Sequence, residues 1–308
     1  MAPAHRIAFV VPTKDRPDDL RKMLASLARQ TRRPDQVIVV DGSELAVRNV
    51  VEECQSLPAE YVRVFPPSLA RQRNAGMQRL TRDITLAGYL DDDIVLEDDA
   101  VQCMLEFWED TAADIGGAAF TITNNPQPGA LSLKQAFAID HVQPGRVLRS
   151  GFASSIMPQG TDMETEWLYG GATVWRRGVI ESYPYDEWFV GTGYMEDIDF
   201  SYTVGARYRL FVVARARLAH FSKPVRADRQ RLLGKWQIVN RMHVVRKHRA
   251  RGLSVPAAWR ASFGLFLLNL AAAVVRVRRD PWNRALGNAA GMVSELFGRR
   301  EQIGGHLK

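Results

Sequence analysis

The sequence predicts an α/β fold with a mostly parallel sheet that has helices on both faces. In the first hundred residues, short β-rich apolar runs alternate with segments of helical periodicity, and the connections between them are short. Polar and acidic side chains follow several of these runs directly, as expected at the ligand-binding edge of such a sheet. Beyond residue 230 the pattern is helical, which predicts a C-terminal helical extension.

Four strands are predicted in the first part of the chain: Ile7–Val11, Gln36–Val40, Tyr61–Phe65 and the apolar run that ends at Asp91. Helices are predicted between them, over residues 18–27, 44–56 and 69–80. Later segments predict strands at 115–120, after the glycines at 170–171, and at 208–214, and a helix at 232–248.

The carboxyl ends of parallel strands meet at one edge of a sheet, and ligands bind beyond that edge. This rule predicts that the polar residues after the first, second and fourth strands gather in one site: Thr13, Asp15, Asp41, Asp91, Asp92 and Asp93. No GxGxxG motif follows the first strand and no GxxxxGK[ST] motif occurs, which disfavours dinucleotide-binding and P-loop proteins.

Two acidic segments contain candidate metal-binding or catalytic residues. Asp91, Asp92 and Asp93 are adjacent and repel one another, so a divalent cation with oxygen ligands is the natural compensation; a solvated acidic turn is the alternative. Glu196 and Asp197 open a predicted helix. Acids at that position complement the helix dipole, but a carboxylate beside aromatic residues also suits a general base.

The charge of the chain is strongly asymmetric. Residues 1–204 contain 19 Lys/Arg and 30 Asp/Glu, whereas residues 205–308 contain 22 and 4. The basic part predicts an anionic partner, which can be a phosphate-bearing ligand, nucleic acid or an anionic membrane. The two cysteines form no CxxC motif, which argues against zinc and suits a reducing compartment. The N-terminal apolar run is expected to be the first strand rather than a signal peptide.

Residues 261–275 form an apolar run of about 15 residues, short of the roughly 20 needed to span a bilayer. Tryptophan and arginine residues flank this run: Trp259, Arg260, Arg276, Arg278, Arg279 and Trp282. The arrangement favours a helix that lies at a membrane surface, with a buried core or oligomer helix as the alternative.

Five short motifs, in this order, give the chain a resemblance to a known family. They are Val11-Pro12-Thr13-Lys14-Asp15-Arg16, Val37–Ser43, Ala70–Gly76, Leu90-Asp91-Asp92-Asp93 and Glu196-Asp197-Ile198-Asp199. Over roughly residues 5–250 they resemble the motifs of inverting family 2 glycosyltransferases of the GT-A fold, and the three aspartates match the D-x-D signature of that family.

The resemblance implies roles for individual residues. Donor-binding roles fall on Thr13, Asp15, Asp41, Arg73, Asp91 and Asp92. Metal-binding roles, with Mg²⁺ or Mn²⁺ as cofactor, fall on Asp93 and His220. The general base on the acceptor hydroxyl would be Asp197, and the residues on the acceptor side would be Gly170, Gly171 and Glu196. From the residues alone, a lone histidine such as His220 is more often a structural, hydrogen-bonded residue.

The activity implied by the resemblance is the metal-dependent, inverting, hexosyltransferase-like transfer of one sugar from a UDP-, dTDP- or GDP-sugar to a glycan hydroxyl. The acceptor is expected to be lipid-linked, as in the assembly of cell-surface polysaccharides. A GT-A domain is expected at 1–230, with donor binding in 1–100 and the acceptor side in 101–230. The basic region 231–308 is expected to contact the inner face of the cell membrane from the cytoplasm, with no nucleic-acid partner.

Two other functions fit parts of the sequence. A nucleotidyltransferase acting on a sugar phosphate also places acidic metal ligands on an α/β sheet, but a Gly-rich loop usually follows its first strand, and none does here. A non-enzymatic basic protein that binds membranes or nucleic acid would explain the C-terminal charge, but not the acids at the strand ends.

Overall fold

A nine-stranded mixed sheet is the centre of the structure, a computed structural model that describes residues 5–125, 133–156, 160–276 and 279–298. The chain divides into two compact units. The first comprises Met1–Pro126, Ile156–Glu187 and Phe200–Ser222, and the second comprises Gln127–Ser155, Trp188–Asp199 and Lys223–Lys308. Every strand of the sheet belongs to the first unit.

The strands of the described chain are β1 (Ile7–Thr13), β2 (Gln36–Asp41), β3 (Ala59–Arg63), β4 (Leu86–Leu90), β5 (Ile94–Leu96), β6 (Ile115–Ile122), β7 (Met163–Thr165), β8 (Ala172–Arg176) and β9 (Arg209–His220). The helices are α1 (Pro17–Ala28), α2 (Arg48–Glu52), α3 (Leu69–Met77), α4 (Ala100–Glu109), α5 (Leu133–Ala136), α6 (Arg177–Ser182), α7 (Glu196–Val204), α8 (Gln230–Lys247), α9 (Val255–Arg276) and α10 (Arg279–Leu296).

The sheet is parallel in one half and mixed in the other. Its order is β3-β2-β1-β4-β8-β6-β9-β5, with β7 paired to β9. Helical crossovers keep β3, β2, β1 and β4 parallel, whereas β8 runs antiparallel between β4 and β6. The expectation of a mostly parallel sheet therefore describes the first half only, because β5, β7 and β8 all pair antiparallel with their neighbours.

Strand β1 is buried along its whole length because helices cover both of its faces. Ile7, Phe9 and Val11 belong to the same apolar core as the buried face of α1. Val10 points the other way, where a Cβ added to Gly76 of α3 would lie 2.3 Å from its Cγ1 atom. This packing explains the continuous apolar run in the sequence and fixes the position of the polar residues that follow it.

The predicted strands and the long predicted helices are present, with shifted ends. The helix expected over 44–56 is only one turn and a half long, Arg48–Glu52. The acidic triplet follows the carboxyl end of β4 as predicted, and the short strand β5 begins directly after it, at Ile94. The hydrophobic pattern of residues 130–165 shows only weak periodicity. In the described part of this segment the structure has two short elements, α5 and β7.

In the second unit, α8 and α10 pack at close range through small residues. A Cβ at Gly234 would lie 2.2 Å from the carbonyl oxygen of Arg284, and one at Gly287 would lie 2.1 Å from that of Arg231. The buried Asn288 of α10 donates to the carbonyl of Gly234 (2.8 Å) and accepts from Asn269 of α9 (2.8 Å). These contacts join the three C-terminal helices.

Helix α9 is longer than the sequence pattern predicted. It has 22 residues, since it also includes the segment that begins at Val255 and contains Trp259 and Arg260. The apolar run of about 15 residues is therefore part of a longer helix. Val255–Val275 is the one helix among the described residues that is long and apolar enough to cross a membrane, judged by length and composition, and 28% of its apolar 18-residue window is buried. Arg278 and the tail from Arg299 onwards lie outside the described residues.

We predict that Gly117→Ala destabilises the first unit, because a Cβ there would lie 2.3 Å from the ring of Trp175. Overpacking of a core of this kind costs about 1–3 kcal/mol. Gly178→Ala in α6 is the matched control, since a Cβ at that position meets nothing within 4 Å. Thermal unfolding should show a clear loss for the first variant and none for the second; equal midpoints would contradict the packing described.

Candidate functional site

The three aspartates lie at the topological switch point of the parallel half-sheet. Strands β2 and β3 lie on one side of β1 in the sheet, and β4 lies on the other side. Thr13 ends β1 and Asp91 follows the last residue of β4. The hydroxyl of Thr13 donates to Oδ2 of Asp92 at 2.8 Å, which joins the two strand ends. This edge is where open α/β sheets bind ligands.

Arg16 compensates the negative charge of the two buried aspartates. Its Nη1 donates to Oδ1 of Asp92 at 3.1 Å and to Oδ2 of Asp93 at 2.8 Å. Both aspartates are only 5% exposed, so the ion pairs lie where solvent screens them little. Burial, and secondarily the charge of Asp93, raises the pKa of Asp92 to about 7, against the opposing effects of Arg16 and Thr13.

His220 reaches the acidic cluster through the register of β5 and β9. Ile94 pairs with His220, and the amide of Phe221 donates to the carbonyl of Asp93 at 2.7 Å. Nε2 of His220 then lies 2.9 Å from Oδ1 of Asp93. The side-chain amide of Asn124 bonds both backbone groups of His220, at 2.9 and 3.0 Å. The histidine is thus positioned by two neighbouring strands.

Asp91 is held by the glycine pair and by α3. Its amide donates to the carbonyl of Gly171 at 2.9 Å. A Cβ on Gly171 would lie 2.0 Å from Cγ of Asp91, so only glycine leaves room for this carboxylate. Gly170 precedes this contact in the turn before β8. The structure therefore places Gly171, which was expected on the acceptor side, against the acidic cluster.

Arg73 acts on Asp91 from within the protein. Its Nη2 lies 3.2 Å from Oδ1 of Asp91, and its guanidinium lies over the rings of Tyr89 and Tyr185, at 5.6 and 5.0 Å. Arg73 is only 1% exposed, so in this conformation it positions Asp91. Its expected contact with a diphosphate stays a prediction.

The residues present fit a divalent cation. One ligand atom each from Asp91, Asp93 and His220 lie within 4.8 Å of one another. A single cation can bridge such a set, since opposite oxygen ligands of Mg²⁺ or Ca²⁺ are about 4–5 Å apart. Carboxylate oxygens suit Mg²⁺ and Mn²⁺, and the imidazole adds a softer nitrogen ligand. The cluster contains Asp93 and His220 as expected, and it adds Asp91, which the sequence assigned to the donor.

Asp41 and Asp15 organise the neighbouring strand-end loops. Asp41 is fully buried, and its carboxylate accepts from the amides of Ser43 (2.7 Å) and Val47 (3.1 Å) and from the hydroxyl of Tyr61 (2.6 Å). Asp15 is exposed; its amide donates to the hydroxyl of Ser43 at 2.7 Å. The nucleobase of a donor could reach Asp41 only if the surrounding loop moved. The expected contact between Asp41 and the nucleoside therefore stays a prediction.

The segment Glu196-Asp197-Ile198-Asp199 begins α7 and belongs to the second unit. Asp199 is buried and joins α7 to the end of α8, because its carboxylate contacts Nζ of Lys247 at 2.6 Å and Nε2 of His248 at 2.8 Å. Glu196 is also buried, whereas Asp197 is partly exposed. Of these three acids, Asp197 is therefore the most accessible to a ligand.

Sequence reasoning did not select Arg16 or Asn124 as site residues. Arg16 lies three residues after the end of β1, so the strand-end rule that selected Thr13 and Asp15 could have found it. Asn124 follows β6 in a loop of Asn, Pro and Gly residues, and nothing in that pattern indicates its bonds to His220.

Part of the chain is similar to a known protein family. Residues 8–149 match the family model described as glycosyl transferase family 2. The matched stretch is just under half of the chain. It contains Thr13, Arg73 and the three consecutive aspartates at 91–93. No curated protein sequence matches the chain.

Solved structures similar to this chain share its fold. The mannosyltransferase PcManGT from Pyrobaculum calidifontis, in complex with GDP-Man and Mn²⁺, is 15% identical with a TM-score of 0.58, over 96% of this chain and 89% of that one. S. aureus TarS 1–349, in complex with UDP-GlcNAc, is 13% identical with a TM-score of 0.51, over 95% and 92%.

A third similar structure, GalNAc-T7 with UDP, GalNAc and Mn²⁺, is 15% identical with a TM-score of 0.57, over 71% of this chain and 44% of that one. The chain spans 55% of the longer TarS structure. These similarities confirm the expected fold: a GT-A-like mixed α/β sheet with flanking helices and a C-terminal helical region.

We predict that Gly171→Ala weakens divalent-metal binding without unfolding the protein, because the added Cβ displaces the carboxylate of Asp91. Loss of the groups that orient metal ligands typically costs about 10- to 100-fold in affinity. Titration calorimetry with Mn²⁺ measures this loss, and Gly178→Ala serves as the control. Wild-type Mn²⁺ affinity in Gly171→Ala would show that Asp91 is no ligand.

Proposed function

We propose that this protein is a metal-dependent, inverting glycosyltransferase. It moves one sugar from a nucleotide-diphosphate sugar to a hydroxyl of a glycan acceptor. The observation that carries the proposal is the cluster of Asp91, Asp93 and His220 at the switch point of a GT-A-like sheet. The family-model match over residues 8–149 supports it independently.

Asp91, Asp93 and His220 would hold Mg²⁺ or Mn²⁺, which when bound stabilises the negative charge of a departing nucleotide diphosphate. Arg16 lies beside the same carboxylates and can offer a charge-assisted hydrogen bond to a phosphate oxygen. Thr13 and Asp92 hold the two strand ends together, so this part of the proposed donor site is preorganised. PcManGT, which has a similar fold, has been solved in complex with GDP-Man and Mn²⁺, and this supports the proposal.

Asp197 is proposed as the general base that takes the proton of the acceptor hydroxyl. It is the least buried of the three acids that begin α7, and its Oδ1 already accepts the amide of Ile198 at 2.8 Å, which orients the carboxylate. Attack by the deprotonated acceptor hydroxyl in a single displacement would invert the anomeric carbon, whereas retention through a covalent intermediate would need a second step. Acceptor-side roles are proposed for Gly170, Gly171 and Glu196, as the family resemblance implies.

The acceptor is proposed to be lipid-linked, and the enzyme to work in the cytoplasm at the inner face of the cell membrane. The support is the basic charge of residues 205–308 together with the exposed apolar helix α9. The proposed role is the assembly of cell-surface polysaccharide by transfer of one sugar at a time. The donor is proposed to be a UDP-, dTDP- or GDP-sugar.

The test is a panel of nucleotide sugars incubated with the protein and Mn²⁺ or Mg²⁺, followed by detection of the free nucleotide diphosphate. One donor should be cleaved faster than the others, and chelation of the metal should abolish the reaction. The rival nucleotidyltransferase would instead release pyrophosphate from a sugar 1-phosphate and a nucleoside triphosphate.

Two variants separate the proposed roles of the carboxylates. Asp93→Asn should lose both metal binding and transfer, whereas Asp197→Asn should bind Mn²⁺ normally and lose about 10²- to 10⁴-fold in kcat. Asp98→Asn, at an exposed acid before α4, is the matched control and should behave as wild type. Full transfer by either of the first two variants would refute its assigned role.

A further inference from the structure

A basic cavity of about 650 Å³ lies within the second unit, between residues 138–149 and the first turns of α9. The two walls are joined, because the amide of Ser254 donates to the carbonyl of Arg149 at 2.8 Å. Further along α9, a Cβ on Gly264 would lie 2.2 Å from the ring of Phe137, so the helix packs closely on the segment before the cavity. The cavity is therefore part of the packed unit.

The lining of this cavity is cationic. Arg146, Arg149, Arg260 and His141 contribute to it, and no lining residue is acidic. All four are exposed. Three guanidinium groups around one concave site are typical of phosphate recognition, because their planar N–H groups match phosphate oxygens in pairs. These lining residues belong to the second unit, whereas the aspartate cluster belongs to the first.

An exposed apolar stripe on α9 begins at the rim of the cavity. Arg260, Phe263, Leu267 and Val274 follow one another at spacings of three, four and seven, which places them on one face of the helix. Phe263, Leu267 and Val274 are 53%, 36% and 72% exposed. From Arg260 to Val274 this stripe is about 21 Å long. A cationic site and an apolar surface thus follow each other along the helix.

We propose that this cavity binds the phosphate headgroup of a lipid, with the acyl chains lying along the apolar stripe of α9. The positive charge of the cavity favours a phosphate group as ligand. The apolar stripe beside it favours a phosphate that is attached to acyl chains. The proposal rests on the membrane contact proposed above, but it does not depend on sugar transfer.

Vesicle flotation with the full chain tests this site. Three vesicle types are compared: phosphatidylcholine alone, phosphatidylcholine with phosphatidic acid, and phosphatidylcholine with enough oleate to give the same surface charge through carboxylates. The variant is Arg149→Gln/Arg260→Gln. The control is Arg207→Gln/Arg249→Gln, which removes the same charge from exposed arginines that do not line the cavity. Thermal unfolding first establishes that both variants are folded.

The wild type should prefer vesicles with phosphatidic acid over those with oleate. The cavity variant should bind the phosphatidic acid vesicles about 30-fold more weakly, the loss expected for two arginines at an anionic surface. The control should keep wild-type affinity.

Three outcomes would overturn the proposal. Equal binding to oleate and phosphatidic acid, or an equal loss in the control variant, would mean that charge alone brings the protein to the membrane. Stabilisation of the wild type by inorganic phosphate without any vesicle binding would assign the cavity to a free phosphate. Because donor cleavage is assayed separately with nucleotide sugars, a failure here leaves the proposed sugar transfer standing.

Discussion

Three consecutive aspartates at the end of β4 are the constraint on which the rest of the site depends. Two of them are almost fully buried, and buried carboxylates are costly unless they are paired and hydrogen-bonded. The compensation comes from three separate parts of the first unit: Arg16 after β1, Arg73 on α3 and His220 at the end of β9. The parallel and the mixed halves of the sheet therefore meet at this cluster, and the fold and the site constrain each other.

The same contacts explain how the cluster can serve a ligand. Arg16 and His220 contact the two carboxylate oxygens of Asp93, which are the atoms that a cation would use. Exchange of these contacts for a metal and a diphosphate keeps the local charge balanced, because the incoming anion brings charge that the arginine can meet. Gly171 leaves Asp91 free to take part, since any side chain at that position would occupy the space of the carboxylate. The cluster is thus held in place by its neighbours, and ligand binding would exchange the contacts that Arg16 and His220 make with Asp93.

The sequence predicted this cluster because strand ends follow a simple rule. Apolar runs located the strands, and the polar residues after them fell at one edge, which brought Thr13, Asp92 and Asp93 together as expected. The approach of His220 depends on the register of β5 with β9, a pairing of distant segments that periodicity cannot show. The burial of Asp41 and the bonds of Asp199 to Lys247 and His248 likewise depend on tertiary packing. The length of α9 was underestimated because Trp259 and Arg260 interrupt the apolar run without ending the helix.

The central claim is that Asp91, Asp93 and His220 bind one divalent cation. The most direct measurement is the anomalous difference density of Mn²⁺ in crystals of the protein grown with Mn²⁺ and a nucleoside diphosphate. One strong peak is expected at bonding distance from Asp93 and His220, with Asp91 beside it and the diphosphate as a further ligand. Density for the nucleotide without a manganese peak at these three residues, or a peak elsewhere, would contradict it.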